Sequence, residues 1–239
     1  MISERYERQV LLLSEEGQKR LYESKVFIAG AGGLGSPVLV YLTLAGVGKI
    51  VVADNDTVSL SNLNRQFLHD LSKLGDIKTD SARDTLNRLN PDVEIEGIFE
   101  AVTDDNISEI TKDCSLIIDC LDNFEARRVL NREAVRTGIF MIHGAVSGWD
   151  GQATTIMPGK TPCYECIFPF DKTPSGNFPI VGTTAGVIGS IQANEAVRIL
   201  AGYEPSLGGK LLIWDGRTAS VDQIPLLRNE KCHVCSGLK

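Results

Sequence analysis

The stretch Val26-Phe27-Ile28-Ala29-Gly30-Ala31-Gly32-Gly33-Leu34-Gly35 decides the fold of this chain. An apolar run enters a Gly-x-Gly-x-x-Gly turn, and Leu34, Val38, Leu42 and Ala45 then recur at the three- and four-residue spacing of a helix. A strand that passes through such a turn into a helix is the phosphate-binding corner of an α/β nucleotide fold. Gly30 meets the tight turn, Gly32 the close approach of a ligand and Gly35 the packing of helix on strand, while Gly33 removes one further side chain. Backbone N–H groups at that helix start suit a phosphate or the support of a ribose. The next apolar run ends at Asp54, 24 positions after Gly30, where a carboxylate can take ribose hydroxyls. These features leave dinucleotide binding, other nucleotide binding and a purely structural glycine turn open.

The segment that follows, Asp54-Asn55-Asp56-Thr57-Val58-Ser59-Leu60-Ser61-Asn62-Leu63-Asn64-Arg65-Gln66, narrows the choice. A dehydrogenase leaves this space to nicotinamide, whereas Asn62, Arg65 and Gln66 are groups for handling phosphate. Arg65 brings a planar donor fork matched to phosphate oxygens, and Lys78, on the helix after Gly75-Asp76, a second positive charge. Either residue alone reads as a solvated surface side chain; beyond a strand that ends at a nucleotide site, the pair reads as function. Asp122 and Asn123 follow another apolar run, 115–120, at the edge of the sheet where ligands of open α/β folds bind. Asp122 can hold Mg²⁺ against a triphosphate or cap the helix over 123–137, and the two roles are compatible.

Further out, strands are expected at 25–30, 49–54, 93–98, 115–120 and 139–145, covered on both faces, with helices over 34–46, 76–90 and 123–137 between them. That βαβ series predicts an α/β, Rossmann-like, doubly wound and mostly parallel sheet. After 145 the pattern changes to an antiparallel strand over 149–157, a Pro- and Gly-rich stretch over 170–182 read as a mobile loop, a helix over 186–200, and strands over 210–215 and 219–224. One domain over 1–239 is expected, with a nucleotide-binding half at 1–145 and a second half at 146–239 tied back to it.

Composition excludes several classes. A net charge of −7 disfavours a nucleic-acid partner. No apolar run approaches the roughly 20 residues needed to span a bilayer, and Met1-Ile2-Ser3-Glu4-Arg5-Tyr6-Glu7-Arg8 lacks the apolar stretch of a signal peptide, so a cytoplasmic protein without a membrane role is expected. Of six cysteines, four form the pairs Cys163/Cys166 and Cys232/Cys235. That spacing predicts a structural four-cysteine zinc site that ties the C-terminal tail to the loop after Met157, and four thiolates leave no open position for catalysis. Cys114 and Cys120 read as buried small hydrophobes, with a direct role left open for Cys120 at the sheet edge. His69 in a loop and His143 at a strand end have no partner legible in the sequence and read as structural. His233 reads as packing near the zinc.

Together, Arg5-Tyr6-Glu7-Arg8-Gln9, the glycine turn, Asp54 with Ser61-Asn62-Leu63-Asn64-Arg65-Gln66, Lys78, Cys120-Leu121-Asp122-Asn123 and both cysteine pairs resemble the MoeB, ThiF and HesA family of adenylating enzymes, which also includes the adenylation domain of ubiquitin-activating enzymes. The resemblance covers nearly the whole chain and is nearest to the MoeB type. It implies an adenylyltransferase that binds Mg·ATP and activates the C-terminal glycine of a ubiquitin-like sulfur carrier ending in Gly-Gly, releasing pyrophosphate, for molybdopterin, thiamine or related sulfur transfer. It implies that Gly33 and Asp54 contact the nucleotide and that Asn62, Arg65 and Lys78 hold phosphates. Gln66 would then line the site, Asp122 bind Mg²⁺, and the second half receive the carrier. Arg8 matches an arginine donated into the neighbouring subunit's site, which implies a homodimer. Some members carry a cysteine after the first Cys-x-x-Cys; 167–190 has none, and Phe178 stands near that place. Adenylation alone is therefore expected, with sulfur from a separate persulfide protein or free sulfide. The rival readings are activation of a peptide or small carboxylate, an NAD-dependent oxidoreductase and a non-catalytic zinc-stabilised binding module.

Overall fold

A computed structural model describes residues 3–169 and 179–238. The strands β1 (Lys25–Ala29), β2 (Lys49–Ala53), β3 (Glu94–Ile98), β4 (Leu116–Asp119), β5 (Phe140–Ser147), β6 (Asp150–Ile156), β7 (Lys210–Asp215) and β8 (Ser220–Pro225) form one sheet in the order β3-β2-β1-β4-β5-β6-β7-β8. β3 to β5 in that order pair in parallel; the β5–β6, β6–β7 and β7–β8 pairings are antiparallel. The strand order reverses between β1 and β4, so the connections that leave their paired carboxyl ends turn to opposite faces of the sheet and open the crevice in which α/β folds bind ligands.

Seven α-helices are described: α1 (Glu7–Glu23), α2 (Gly35–Ala45), α3 (Lys78–Leu89), α4 (Ile107–Ile110), α5 (Phe124–Thr137), α6 (Tyr164–Ile167) and α7 (Gly182–Leu200). Strand residues alternate between two cores, as the period of two dictates. Val26, Ile28, Ile50, Val52 and Ile118 pack with Val38 and Leu42 of α2 and Ile188 and Ala196 of α7. Phe27, Ala29, Val51, Ile117 and Met141 face Val129, Leu130 and Ala134 of α5. Each Val, Ile, Leu, Phe or Met among them, fully buried, contributes about 1.5–3 kcal/mol relative to exposure.

The expected elements are present with ends shifted by a few residues, and three points need correction. β3 is not covered on both faces: it is an edge strand with Glu94 and Glu96 exposed, and Lys49 of β2 pairs with them at 2.7 and 2.8 Å. α7 begins at Gly182, four residues before the expected start at 186, and α1 has no counterpart among the expected elements. The loop expected at 170–182 falls largely outside the described residues, as does Phe178. No described helix is long and apolar enough to cross a membrane.

Candidate active site

The glycine turn is built as its spacing requires. Gly30 has φ +100°, a conformation costly for any residue with a Cβ, and a Cβ on Gly35 would collide with the Gly30 carbonyl oxygen. Asp54, just past β2, fixes the loop from the side. Its Oδ2 accepts from Ala31 N at 2.8 Å and its Oδ1 from Asp56 N at 2.9 Å, which ties the turn to the segment after β2.

His69 supports the turn from below. Its Nε2 lies 3.1 Å from the Ala31 carbonyl oxygen and its Nδ1 2.9 Å from Ser81 Oγ, so it has the partners that the sequence did not reveal. Burial pushes its pKa below the ordinary 6.5, so the ring is neutral, donating to Ala31 and accepting from Ser81. The unfolded chain therefore binds the proton more readily, and the stability held by neutral His69 is lost as pH falls below about 6.5. Melting temperature should drop between about pH 7.5 and pH 5.5 and drop less in His69→Gln, which keeps the donor without titrating; equal slopes would contradict this.

Lys78 opens α3 with its side chain almost fully buried, its Nζ 2.7 Å from Asp56 Oδ2 and 4.0 Å from Asp54 Oδ1. Burying an ammonium is costly unless counter-charges stand close, and these two carboxylates supply them. Asp56 is mostly exposed, so the ammonium is held toward the mouth of the site.

The segment over 60–66 forms the facing wall. Asn62 closes a capping box with Ser59: its Oδ1 accepts from Ser59 N at 3.1 Å, leaving its amide NH₂ to donate elsewhere. Arg65 donates through Nη1 to the Ser61 carbonyl and Asn64 Oδ1, both at 2.9 Å, and its remaining N–H groups border the cleft. The start of α7 comes against this wall, since Gly182 leaves no room for a side chain beside Asn64 and Arg65. The positive end of a long helix is thereby added to the guanidinium. Gln66 is buried, and its Oε1 has no partner among the described residues. A buried acceptor without a donor, in the wall of an open cleft, fits a hydroxyl-bearing ligand or a bound water.

Across the cleft, Asn123 rather than Asp122 caps α5, its Oδ1 accepting from Ala126 N at 2.8 Å. The two readings of Asp122 thus divide between neighbours: Asn123 is the cap, and Asp122 stays exposed in the cleft, available to a cation. The cleft encloses about 1300 Å³ and is lined by Gly30, Gly32, Gly33, Asp54, Asn62, Arg65, Gln66, Lys78, Asp122 and Asn123 together. Gln152 of β6 and Ile180 reach it from the second half. The structure thus unites every sequence-derived cleft residue except Gly35, which shapes the turn beneath, and Arg8. Arg8 is exposed on α1 at the opposite edge of the sheet: the adjacent Gln9 donates to the Ala45 carbonyl at 2.9 Å, at the far end of α2.

Cys120 lines the cleft but is buried, with Sγ 3.9 Å from Gln192 Oε1. Burial, aided by the Asp119 charge, pushes its thiol well up, away from the thiolate a nucleophile needs. Cys163, Cys166, Cys232 and Cys235 converge with all Sγ atoms within 4.8 Å of one another. Neighbouring pairs stand 3.8, 3.6 and 3.5 Å apart. A tetrahedral zinc with bonds of about 2.3 Å needs sulfur–sulfur edges of about 3.8 Å, so the donor set and its spacing fit zinc. His233 is exposed, and its Nε2 lies 2.7 Å from Oε2 of the buried Glu165.

The profile of the ThiF family matches residues 6–234. The chain belongs to the ThiF family. It is 38% identical over 240 residues to the SAMP-activating enzyme E1 of Haloferax volcanii, covering 97% of this chain and 88% of that one. To the sulfur carrier protein adenylyltransferase of Thermus thermophilus it is 38% identical over 245 residues, covering 97% and 90%. To the molybdopterin-synthase adenylyltransferase of Escherichia coli it is 38% identical over 238 residues, covering 97% and 95%. The crystal structure of E. coli MccB with ATP superposes with a TM-score of 0.84 at 24% identity, covering 98% of this chain and 75% of that one, a likeness of fold.

Two further residues of this ThiF-family chain, Asp56 and Arg127, line the cleft, and Asp119 lies fully buried behind it, none of them having stood out in the sequence. Asp119 carried a usable signal: a carboxylate at the end of the apolar run Leu116-Ile117-Ile118-Asp119, fully buried in the structure, demands a compensating partner. That partner includes His143, whose Nδ1 lies 2.6 Å from Asp119 Oδ2, so the view of His143 as lacking one is corrected.

Proposed function

We propose that this chain is an adenylyltransferase that joins AMP from ATP to the C-terminal glycine of a ubiquitin-like sulfur-carrier protein. The observation that carries the reading is the convergence of Arg65, Lys78 and Asp122 on one cleft at the switch point of the sheet, opposite the glycine turn. The names of the relatives supply the substrate class. An NAD-dependent oxidoreductase would need the turn but gives those three charges no task.

In this account a carboxylate oxygen of the carrier attacks the α-phosphorus, the bond from that phosphorus to the bridging oxygen breaks, and pyrophosphate leaves with the electron pair. A carboxylate is ionised at neutral pH, so no general base is needed. The work is in-line positioning and neutralisation of charge. The N–H groups of the glycine turn, with Gly33 open to the ligand, approach the nucleotide, and Asp54 takes ribose hydroxyls. Asn62, Arg65 and Lys78 hold the phosphates, with Lys78 moving from Asp56 toward the ligand. Gln66 lines the site through its unpartnered oxygen. Mg²⁺, held by Asp122, would neutralise the departing pyrophosphate. Zinc in the four-cysteine site would be structural. The chain acts as one domain, its 1–145 half binding nucleotide and its 146–239 half receiving the carrier tail. With no cysteine in 167–190, sulfur comes from a separate donor. The described cysteines form no disulfide, which suits a reducing cytoplasm.

ATP–pyrophosphate exchange with Mg²⁺ and a panel of carriers ending in Gly-Gly tests the reading. Exchange that requires a carrier is expected; exchange without one would shift the substrate to a small carboxylate. Arg8, remote from its own cleft, is assigned to the cleft of a partner subunit in a homodimer. Arg8→Ala and Arg65→Ala should each be inactive alone, yet mixed and reassembled in equal amounts they should recover about one quarter of the wild-type rate, because half the two-fold dimers then hold one intact site. A mixture as inactive as its components would contradict sharing.

A further inference from the structure

We infer that His143 is a positioning residue for the metal-binding edge of the cleft, acting through Asp119 on the turn that carries Asp122. The inference rests on the assignment of Asp122 to Mg²⁺ in the proposed function. Asp119 ends β4 and is paired in register with His143 of β5; both side chains are wholly buried. Taking a carboxylate out of water is costly unless its oxygens are satisfied. Here the satisfaction is directed at one place. Asp119 Oδ2 takes His143 Nδ1 at 2.6 Å, with Arg127 Nε at 3.5 Å, while its Oδ1 accepts from Leu121 N at 3.0 Å. Arg127 Nη2 in turn donates to the Leu121 carbonyl at 2.6 Å, and Gln192 Nε2 to the Asp119 carbonyl at 2.7 Å. The peptide groups on both sides of Leu121 are therefore tied to one buried ion pair, and the next residue is Asp122. His143 is itself held by Tyr164 and Phe168, with ring centroids 5.1 and 5.4 Å away.

A pair that only stabilised the β4–β5 seam would have no reason to hold the turn beyond it. Groups that orient a metal-binding carboxylate change metal affinity when altered, commonly by 10- to 100-fold. The test reads the Mg²⁺ concentration giving half-maximal binding of a fluorescent ATP analogue at equilibrium, which needs no turnover, in variants whose melting shows them fully folded at the assay temperature. His143→Phe, which keeps the ring volume and loses the donor, should raise that concentration about tenfold. His143→Asn, whose amide nitrogen takes the place of Nδ1, should stay within about threefold of wild type, and His143→Gln, which presents its nitrogen at the Nε2 place, should not. If His143→Phe does not fold, the Asn and Gln variants decide the matter. Asp122→Asn is the reference. A shift in Asp122→Asn beside wild-type behaviour in His143→Phe, or equal behaviour of the Asn and Gln variants, overturns the role of His143 alone. An unshifted Asp122→Asn overturns the assignment of Mg²⁺ to Asp122, and this inference falls with it.

Discussion

Replacing Arg65 by alanine is expected to lower carrier-dependent ATP–pyrophosphate exchange about 10³-fold, close to 4 kcal/mol of transition-state stabilisation. The guanidinium stands where the wall over 60–66, the glycine turn and the start of α7 meet, and part of its donor fork is committed to Ser61 and Asn64. Those contacts aim the remaining N–H groups at the cleft, so that charge growing on bound phosphates during displacement would be met without reorganisation. The fold should lose little, because the backbone of the segment keeps its own bonds from Arg65 N and Gln66 N to the Asn62 carbonyl. Arg65→Lys separates charge from geometry: a point charge without the fork should recover part of the rate, not all of it. Steady-state rates with calorimetric melting check this. Exchange within threefold of wild type in a folded Arg65→Ala protein would remove Arg65 from the site.

The second large effect concerns the four cysteines. Cys232→Ser, or prolonged chelation, should lower the melting temperature by roughly 10 °C, since losing one ligand of a buried structural site forfeits several kcal/mol and each kcal/mol moves a chain of this size about 2–4 °C. Cys163 and Cys166 belong to the α6 knuckle, and Cys232 and Cys235 to the tail beyond β8. A zinc ion held by all four would close a long loop containing α7, β7 and β8. Without it, four thiols are left crowded at the edge of the second core, where Cys163, Cys232 and Cys235 are buried. Limited proteolysis should then cut first after β8. Differential scanning calorimetry with metal analysis decides the point: a metal-free protein with unchanged melting would contradict a structural metal.

How much of this was legible in advance depended on whether a residue's role is local. Strand ends are readable within a residue or two because Val, Ile and Leu runs stop at Gly30 and Asp54, where the chain turns into the cleft, and at Asp119, just before it does. α1 was not readable: Ser14, at φ 67°, breaks its period, and Leu11 and Leu12 are exposed, so no clean apolar stripe marks it. The start of α7 was hidden because Gly182-Thr183-Thr184 are weak helix formers whose place is decided by packing on Arg65. β3 looked like an inner strand until the sheet order put it at the edge. At the site, Arg65, Lys78 and Asp122 could be found because they follow strands at one sheet edge. The Asp119–His143–Arg127 group could not, since it joins β4, β5 and α5 across distances that only the fold closes. The division of labour between Asp122 and Asn123 likewise needed a side-chain direction that spacing does not give.

Formation of an acyl adenylate on a protein carboxylate is the activity assigned to this cleft. Intact-mass measurement of a Gly-Gly carrier after incubation with the chain and Mg·ATP tests it most directly. The carrier is expected to gain the mass of one adenylyl group, a gain lost when its last glycine is removed and lost with Arg65→Ala. A carrier whose mass never changes, while the same preparation consumes ATP, would contradict it.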